Sequence, residues 1–120
     1  MTTTFDTWAW FEYFAATKRG ERARQILETS DEVCTASLSL LELKAKYLRE
    51  GKPFEDRLEF ICKRSRVVDL SKEIALAAAE HKQKGLHTSD AIIYATSQAV
   101  RSTLLTGDKH FRGLAGVEML

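Results

Sequence analysis

Residues 88–108, TSDAIIYATSQAVRSTLLTGD, join a helical segment to a short strand-like run that ends at Gly107-Asp108. The opening Thr-Ser-Asp is typical of a helix start, and the spacing predicts a helix from Thr88 to about Val100. Ser102–Thr106 (STLLT) then has the length and composition of a strand. A helix that leads directly into an apolar strand is typical of α/β proteins with parallel sheets.

The rest of the chain shows the same alternation of helix and strand. Further strands are predicted at Thr2–Phe5, Glu32–Ala36, Arg66–Leu70 and Val117–Leu120. Helices are predicted at Thr7–Lys18, Gly20–Thr29, Ser37–Glu50, Pro53–Ser65 and Ser71–Gly85, with Ser37 and Ser71 as N-caps. The pattern predicts one α/β domain over residues 1–120, with an open, mainly parallel sheet of four or five strands flanked by helices.

Composition narrows the class of protein. The 120 residues are 44% hydrophobic and 29% charged, which is typical of a globular domain. A net charge of +1 excludes nucleic-acid affinity from bulk positive charge, although a local basic patch stays open. Cys34 and Cys62 lie far apart without a CxxC motif, which excludes a zinc ribbon and a disulfide framework. Without a signal-like segment or a long apolar run, we expect a cytoplasmic protein with no membrane partner.

Three aspartates fall where an open parallel sheet binds its ligands, beyond the carboxyl ends of the strands. Asp6 ends the first strand, Asp108 follows the strand at Ser102–Thr106, and Asp90 lies in the first turn of the helix before that strand. If the two strands are neighbours, these three carboxylates point into one crevice.

Glu42 is the fourth candidate. On a helical wheel it lies about 40° from Leu38, at roughly 100° per residue, on the border of an apolar stripe. That stripe is predicted to consist of Leu38, Leu41, Ala45 and Leu48. A carboxylate at its border can turn toward the end of the sheet.

Each acid also has a purely structural explanation. Asp6 and Asp90 can cap their helices, and Asp108 after a glycine is a common turn residue. Glu42 can pair with Lys46 one turn later on the helix surface. Four carboxylates in one crevice, however, repel each other unless a cation neutralises them, and oxygen-only ligands favour Mg²⁺ or Mn²⁺.

These residues carry a family resemblance that spans nearly the whole chain. The segments FDTWAWFEYF, SLSLLELKAKY, TSDAIIYATSQAV and STLLTGDKHFRGLAGVEML resemble the PIN-domain ribonucleases, in particular the small VapC-type toxins. The matching motifs are Asp6-Thr7, Glu42, Asp90-Ala91 and the stretch Thr106–Phe111, in the same order. The first strand departs from the family pattern, because Thr2-Thr3-Thr4 is more polar than the usual aliphatic run.

The resemblance implies a metal-dependent endoribonuclease. Asp6, Glu42, Asp90 and Asp108 would be the catalytic residues and would bind one or two Mg²⁺ or Mn²⁺ ions, supported by Thr7 and Thr106. Hydrolysis of the RNA phosphodiester would leave a 5′-phosphate and a 3′-hydroxyl. The resemblance also implies a homodimer and a cognate antitoxin protein laid along the active-site groove.

Basic residues near the acids are candidate contacts for the RNA phosphates. Lys109, His110 and Arg112 directly follow Asp108, and a second basic edge near Glu42 comprises Lys44, Lys46 and Arg49. His81, His87 and His110 have no HxxxH or HExxH spacing, so we expect no histidine metal site.

Five aromatic residues crowd the first helix: Trp8, Trp10, Phe11, Tyr13 and Phe14. At about 100° per residue they surround most of the helix, which predicts that some of them are exposed. We therefore expect Trp8 or Trp10 to contact a second subunit or an antitoxin. The alternative is a helix enclosed between the sheet and neighbouring helices.

Other functions fit the acids less well. A receiver domain needs an acidic pair after the first strand and an aspartate beyond the third, whereas Asp69 lies inside the predicted third strand. A phosphatase of the haloacid dehalogenase type needs Asp-x-Asp where this chain has Asp6-Thr7-Trp8. The remaining alternative is a catalytically silent PIN-like module that binds RNA or protein without cutting.

Overall fold

The computed structural model describes all 120 residues and has a five-stranded sheet at its centre. The strands are β1 (Thr2–Phe5), β2 (Glu32–Ala36), β3 (Arg66–Val68), β4 (Thr103–Thr106) and β5 (Val117–Met119). They are all parallel and lie in the order β3-β2-β1-β4-β5. The predicted α/β class and parallel sheet are therefore confirmed, and the strand order reverses between β1 and β4.

Six helices cover the two faces of the sheet. They are α1 (Thr7–Ala15), α2 (Lys18–Thr29), α3 (Ser37–Glu50), α4 (Glu55–Arg64), α5 (Lys72–Lys82) and α6 (Thr88–Ala99), and a short 3₁₀ helix follows at Lys109–Phe111. Helices α1 to α4 share one buried cluster and α5 and α6 share another. None of the helices has the length and apolar character needed to span a membrane.

The predicted element boundaries lie within three residues of the observed ones, and the differences have local causes. Helix α1 ends at Ala15 because Ala16 adopts a left-handed φ of 56° and Thr17 begins α2 by capping the Gly20 N–H at 3.0 Å. Ser71 caps α5 as predicted, accepting a hydrogen bond from the Ile74 N–H.

The roles predicted for Ser37 and Pro53 at the starts of their helices are wrong. Ala36, the last residue of β2, is the N-cap of α3 and forms no side-chain cap, so Ser37 is already helical. Pro53 precedes α4, whose N-cap is Phe54, and therefore does not occupy the first turn. In both places the chain enters the helix without the side-chain signal that the sequence suggested.

The polar strand β1 is the centre of the sheet. Thr3 and Thr4 are fully buried, and each hydroxyl has a partner: Thr3 bonds Ser30 at 2.9 Å and Thr4 bonds Ser102 at 2.6 Å. Burial of a polar strand is tolerated when its hydroxyls are hydrogen-bonded. The departure from an aliphatic first strand thus leaves this part of the fold intact.

Of the five aromatic residues of helix α1, only Trp10 belongs to the core, and the other four are half-buried. Trp10 is completely buried, and its indole N–H donates to the Thr35 hydroxyl at 3.1 Å. Its ring packs on Phe5 and on Phe14, with centroids 4.7 and 6.0 Å away. Of the two tryptophans predicted to contact a partner, Trp10 is therefore a core residue, whereas Trp8 is half-buried and its contact with a partner stays a prediction.

Helix α3 presents a different face to the core from the one predicted. Its fully buried residues are Ser39, Leu43 and Tyr47, whereas Leu41, Ala45 and Leu48 are exposed. The two sets lie on nearly opposite sides of the helix, so the periodicity fitted two apolar faces and packing against α1, β2 and α6 selected one. Only Leu38 of the predicted stripe packs inward, against the α5–α6 cluster.

Candidate active site

All four candidate acids line one cavity of about 280 Å³ at the carboxyl ends of β1 and β4. Pairing of Phe5 with Leu105 aligns the two strand ends, so that Asp6 and the loop carrying Asp108 are adjacent. Asp90 enters from the first turn of α6, and Glu42 from α3. The fold thus brings together the residues that the sequence proposed, and their catalytic and metal-binding roles stay predictions.

Asp6 is the most buried of the four, with 3% of its surface exposed. Its Oδ1 accepts a hydrogen bond from the Ala9 N–H at 2.7 Å, so the residue also caps α1. Burial raises the pKa of Asp6 to about 7, against opposing hydrogen bonds from Thr106 and the Ala9 N–H. The charges of Asp108 and Asp90 raise it further. Asp6 therefore both starts a helix and keeps a desolvated carboxyl group in the cavity.

Asp90 and Asp108 lie close together in the cavity, with a carboxylate oxygen of each within 4.8 Å of the other. The N-cap of α6 is His87, so Asp90 does not cap its helix, and burial followed by the Asp108 charge raises the pKa of Asp90. Asp108 does act as a turn residue, since its carboxylate accepts from the His110 N–H at 2.9 Å. Its own N–H donates to the Thr106 hydroxyl at 2.9 Å, which makes Thr106 a link between Asp6 and Asp108.

Glu42 is held by α1 rather than by its own helix. The Thr7 hydroxyl lies 2.6 Å from Glu42 Oε1 and 3.0 Å from the buried Ser39 hydroxyl. Lys46, the expected surface partner of Glu42, instead pairs with Glu50 at 3.0 Å. Ser39 was missed in the sequence, although it lies three residues before Glu42 and thus on the same helix face.

The donor chemistry of the cavity fits a hard divalent cation. No lysine or arginine forms an ion pair with any of the four carboxylates. The one basic side chain within 4.0 Å of these carboxylates is the His110 imidazole, whose Nδ1 lies 3.0 Å from Asp108 Oδ1. One ligand atom each from Asp90, Asp108 and His110 lie within 4.8 Å of one another. The expectation of no histidine metal site rested on HxxxH and HExxH spacing, which does not cover a histidine two residues after one acid that the fold also brings to Asp90.

The basic residues divide into those that line the cavity and those that do not. Lys46 and Arg49 of α3 line it. Lys109 and Arg112 are exposed outside it, and Lys44 lies over the Phe54 ring, 5.4 Å from its centroid. Of the three predicted contacts after Asp108, only His110 touches an acid of the cavity.

An aromatic groove of about 580 Å³ adjoins the carboxylate cavity, and we define it by Trp8, Phe11, Phe14 and Tyr47. Trp8 and Phe11 line both spaces. The Trp8 ring lies directly against Gly107, where an added Cβ would come within 2.1 Å of it. Gly107 therefore lets an aromatic wall stand next to the loop that carries Asp108.

A family model and several solved structures match this chain over most of its length. A family model described as the PIN domain matches residues 4–117. A toxin–antitoxin complex from Klebsiella pneumoniae contains a chain with 25% sequence identity and a TM-score of 0.82. That match covers 98% of this chain and 96% of the other. No curated protein sequence matches significantly.

Two further solved structures share the fold at lower identity. VapC20 of Mycobacterium tuberculosis, described as a toxin that cleaves the sarcin–ricin loop, has 19% identity and a TM-score of 0.78, with 98% of each chain covered. VapBC2 of Rickettsia felis, bound to a DNA fragment from its promoter, has 18% identity and a TM-score of 0.75. The match covers 100% of this chain and 98% of that one.

Proposed function

We propose that this chain, which belongs to the PIN-domain family, is the nuclease toxin of a VapBC-type toxin–antitoxin pair. Its reaction is the Mg²⁺- or Mn²⁺-dependent hydrolysis of RNA phosphodiester bonds in the cytoplasm. The similarity to the Klebsiella toxin–antitoxin chain supports the toxin assignment. The description of VapC20 as a toxin that cleaves the sarcin–ricin loop supports RNA as the substrate class.

The observation that carries the proposal is the cavity with four carboxylates and no lysine or arginine paired to them. Such a cluster is costly for folding because the acids repel each other and Asp6 is desolvated. A divalent cation held by Asp6, Glu42, Asp90 and Asp108 would offset this cost, polarise a phosphate and acidify a water molecule.

The surrounding residues fix the positions of these acids. The Ala9 N–H and the Thr106 hydroxyl hold Asp6, and the Thr7 hydroxyl orients Glu42. Fixed carboxylates need no rearrangement when substrate arrives, which is the advantage of a preorganised site. Lys109, His110 and Arg112 remain candidate contacts for flanking phosphates on the exposed side of Asp108.

Cleavage assays test the proposal directly. The purified protein is incubated with single-stranded and structured RNA in the presence of Mg²⁺, Mn²⁺ or EDTA, beside Asp6→Asn and Asp90→Asn. We expect cleavage with 5′-phosphate ends in the wild type, no cleavage in EDTA, and at least a hundredfold slower cleavage in both variants. Asp69→Asn, which alters an exposed carboxylate outside the cavity, serves as the matched control.

Each outcome decides something. Cleavage that persists in both variants refutes the proposed site. Binding of RNA without cleavage on any substrate favours the catalytically silent PIN-like module instead.

A protein partner is the second part of the proposal. The aromatic groove beside the cavity combines aromatic rings with charged side chains such as Lys46 and Arg57, which suits the side chains of an antitoxin segment. We expect the product of a neighbouring small open reading frame to bind the wild type and to inhibit cleavage. Binding that Trp8→Ala leaves unchanged would contradict the use of this groove.

A homodimer is the third part. Leu41 and Leu48 are 64% and 58% exposed on one face of α3, and Ala45 lies between them. An exposed apolar stripe of this kind is typical of an interface. We expect light scattering to give twice the chain mass of 13.6 kDa, and Leu41→Lys with Leu48→Lys to give a monomer. A wild-type monomer would overturn this part.

A further inference from the structure

Arg49 is a basic residue of the carboxylate cavity that the rest of the protein leaves unpaired. It lies on α3 seven residues after Glu42, which is two helical turns along the same face. Its side chain lines the cavity and forms neither an ion pair nor a hydrogen bond. This exposed guanidinium lines the same cavity as the four carboxylates, and none of them neutralises it.

The other basic residue on this wall is already engaged. Lys46 pairs with Glu50 at 3.0 Å and lies over the Phe11 ring, 5.4 Å from its centroid. Arg49 therefore supplies the uncommitted positive charge on the α3 side of the cavity. A guanidinium presents donors in a planar fork that matches two oxygens of a phosphate.

We infer that Arg49 binds a phosphate of the RNA backbone next to the scissile bond and so sets the path of the strand along α3. This inference rests on the proposed ribonuclease function and goes further by naming the contact. The RNA would then contact the α3 side of the cavity in addition to any contact with the residues after Asp108.

The test is RNA binding as a function of salt, measured by fluorescence anisotropy with a labelled single-stranded RNA. An Asp108→Asn background prevents cleavage, and asparagine can still cap the 3₁₀ helix. Fixed Mg²⁺ is present, and a gel confirms that the RNA stays intact. The variants are Arg49→Gln, Arg49→Lys and the control Arg101→Gln. Arg101 is an exposed arginine at the opposite end of β4, without an ion pair.

We expect Arg49→Gln to weaken binding about tenfold at low salt. It should also reduce the slope of log Kd against log salt by about 0.7, the share of one phosphate on a single strand. Arg49→Lys should keep the slope and lose part of the affinity, because the charge remains but the fork does not. Arg101→Gln should match the background.

Three results would overturn the inference. An unchanged slope in Arg49→Gln removes the phosphate contact while leaving the ribonuclease assignment intact. Equal losses in Arg49→Gln and Arg49→Lys without a change of slope indicate a structural effect. Absence of RNA binding in the Asp108→Asn background, together with no cleavage by the wild type, refutes the proposed function itself.

Discussion

Replacing Asp6 by asparagine is expected to change how the stability of the metal-free protein depends on pH. Asp6 ionises near pH 3.8 as a free side chain, but burial raises its pKa in the folded protein to about 7. At about 1.4 kcal/mol for each pKa unit, this difference amounts to about 4 kcal/mol. Asparagine has the same shape, can still accept the Ala9 N–H, and carries no charge.

The sign of the pH effect on stability follows from the number of protons that the folded and unfolded states bind. Between pH 3.8 and about 7 the folded protein keeps a proton on Asp6 that the unfolded chain has lost. Raising the pH through this window therefore removes stability, and roughly 2.5 kcal/mol of the loss falls between about pH 5 and pH 8. Asp6→Asn has no carboxyl group to titrate at this position. From about pH 5 to pH 8 its free energy of unfolding should therefore fall by roughly 2.5 kcal/mol less than that of the wild type.

Urea denaturation in EDTA at the two pH values measures the difference. Asp69→Asn, at an exposed acid, controls for the general effect of removing a carboxylate and should follow the wild type. Added Mg²⁺ should recover stability at the higher pH in the wild type more than in Asp6→Asn, because an ion that binds the folded state stabilises it. Identical pH profiles for the wild type and Asp6→Asn would refute the reasoning.

Three further predictions concern the neighbours of the acids. Gly107→Ala should lower the free energy of unfolding by about 1–3 kcal/mol in urea denaturation, because the new methyl group meets the Trp8 ring. Adding Trp8→Leu to this variant should restore part of the lost stability. Thr7→Val should reduce kcat for RNA cleavage about tenfold with little change in KM, because the Thr7 hydroxyl orients Glu42. Thr7→Ser keeps the hydroxyl and should retain activity. Equal loss of activity in both variants would contradict this role. Trp10→Leu should cost about 3 kcal/mol in the same denaturation assay and Trp8→Leu alone much less, because only Trp10 is fully buried; comparable costs would disprove the assignment of Trp10 to the core.

Much of the fold could be predicted from local sequence patterns. The strand Glu32–Ala36 and the cap at Ser71 are where the sequence predicted them, because both depend on residues within one turn or one strand. The grouping of Asp6, Asp90 and Asp108 was also predictable, since it follows from strand ends in a parallel sheet. The helical wheel made Glu42 a fourth candidate, and the resemblance to the PIN family supported that choice.

Other features could not be read from local pattern. Helix α3 has leucines on two faces, and its packing on α1, β2 and α6 decides that Leu43 is buried and Leu41 exposed. The crowded aromatics of α1 fitted an interface as well as a core, until the neighbouring helices enclosed Trp10.

By itself, the sequence determined an α/β domain with acids at the ends of neighbouring strands, because propensities, caps and periodicity act over a few residues. The tertiary structure alone decided the state of those acids. Thr7 meets Glu42 across 35 residues, desolvation raises the pKa of Asp6 to about 7, and Lys46 pairs with Glu50 while Arg49 stays free. Burial and ion pairing depend on distances in space, which no interval along the chain specifies.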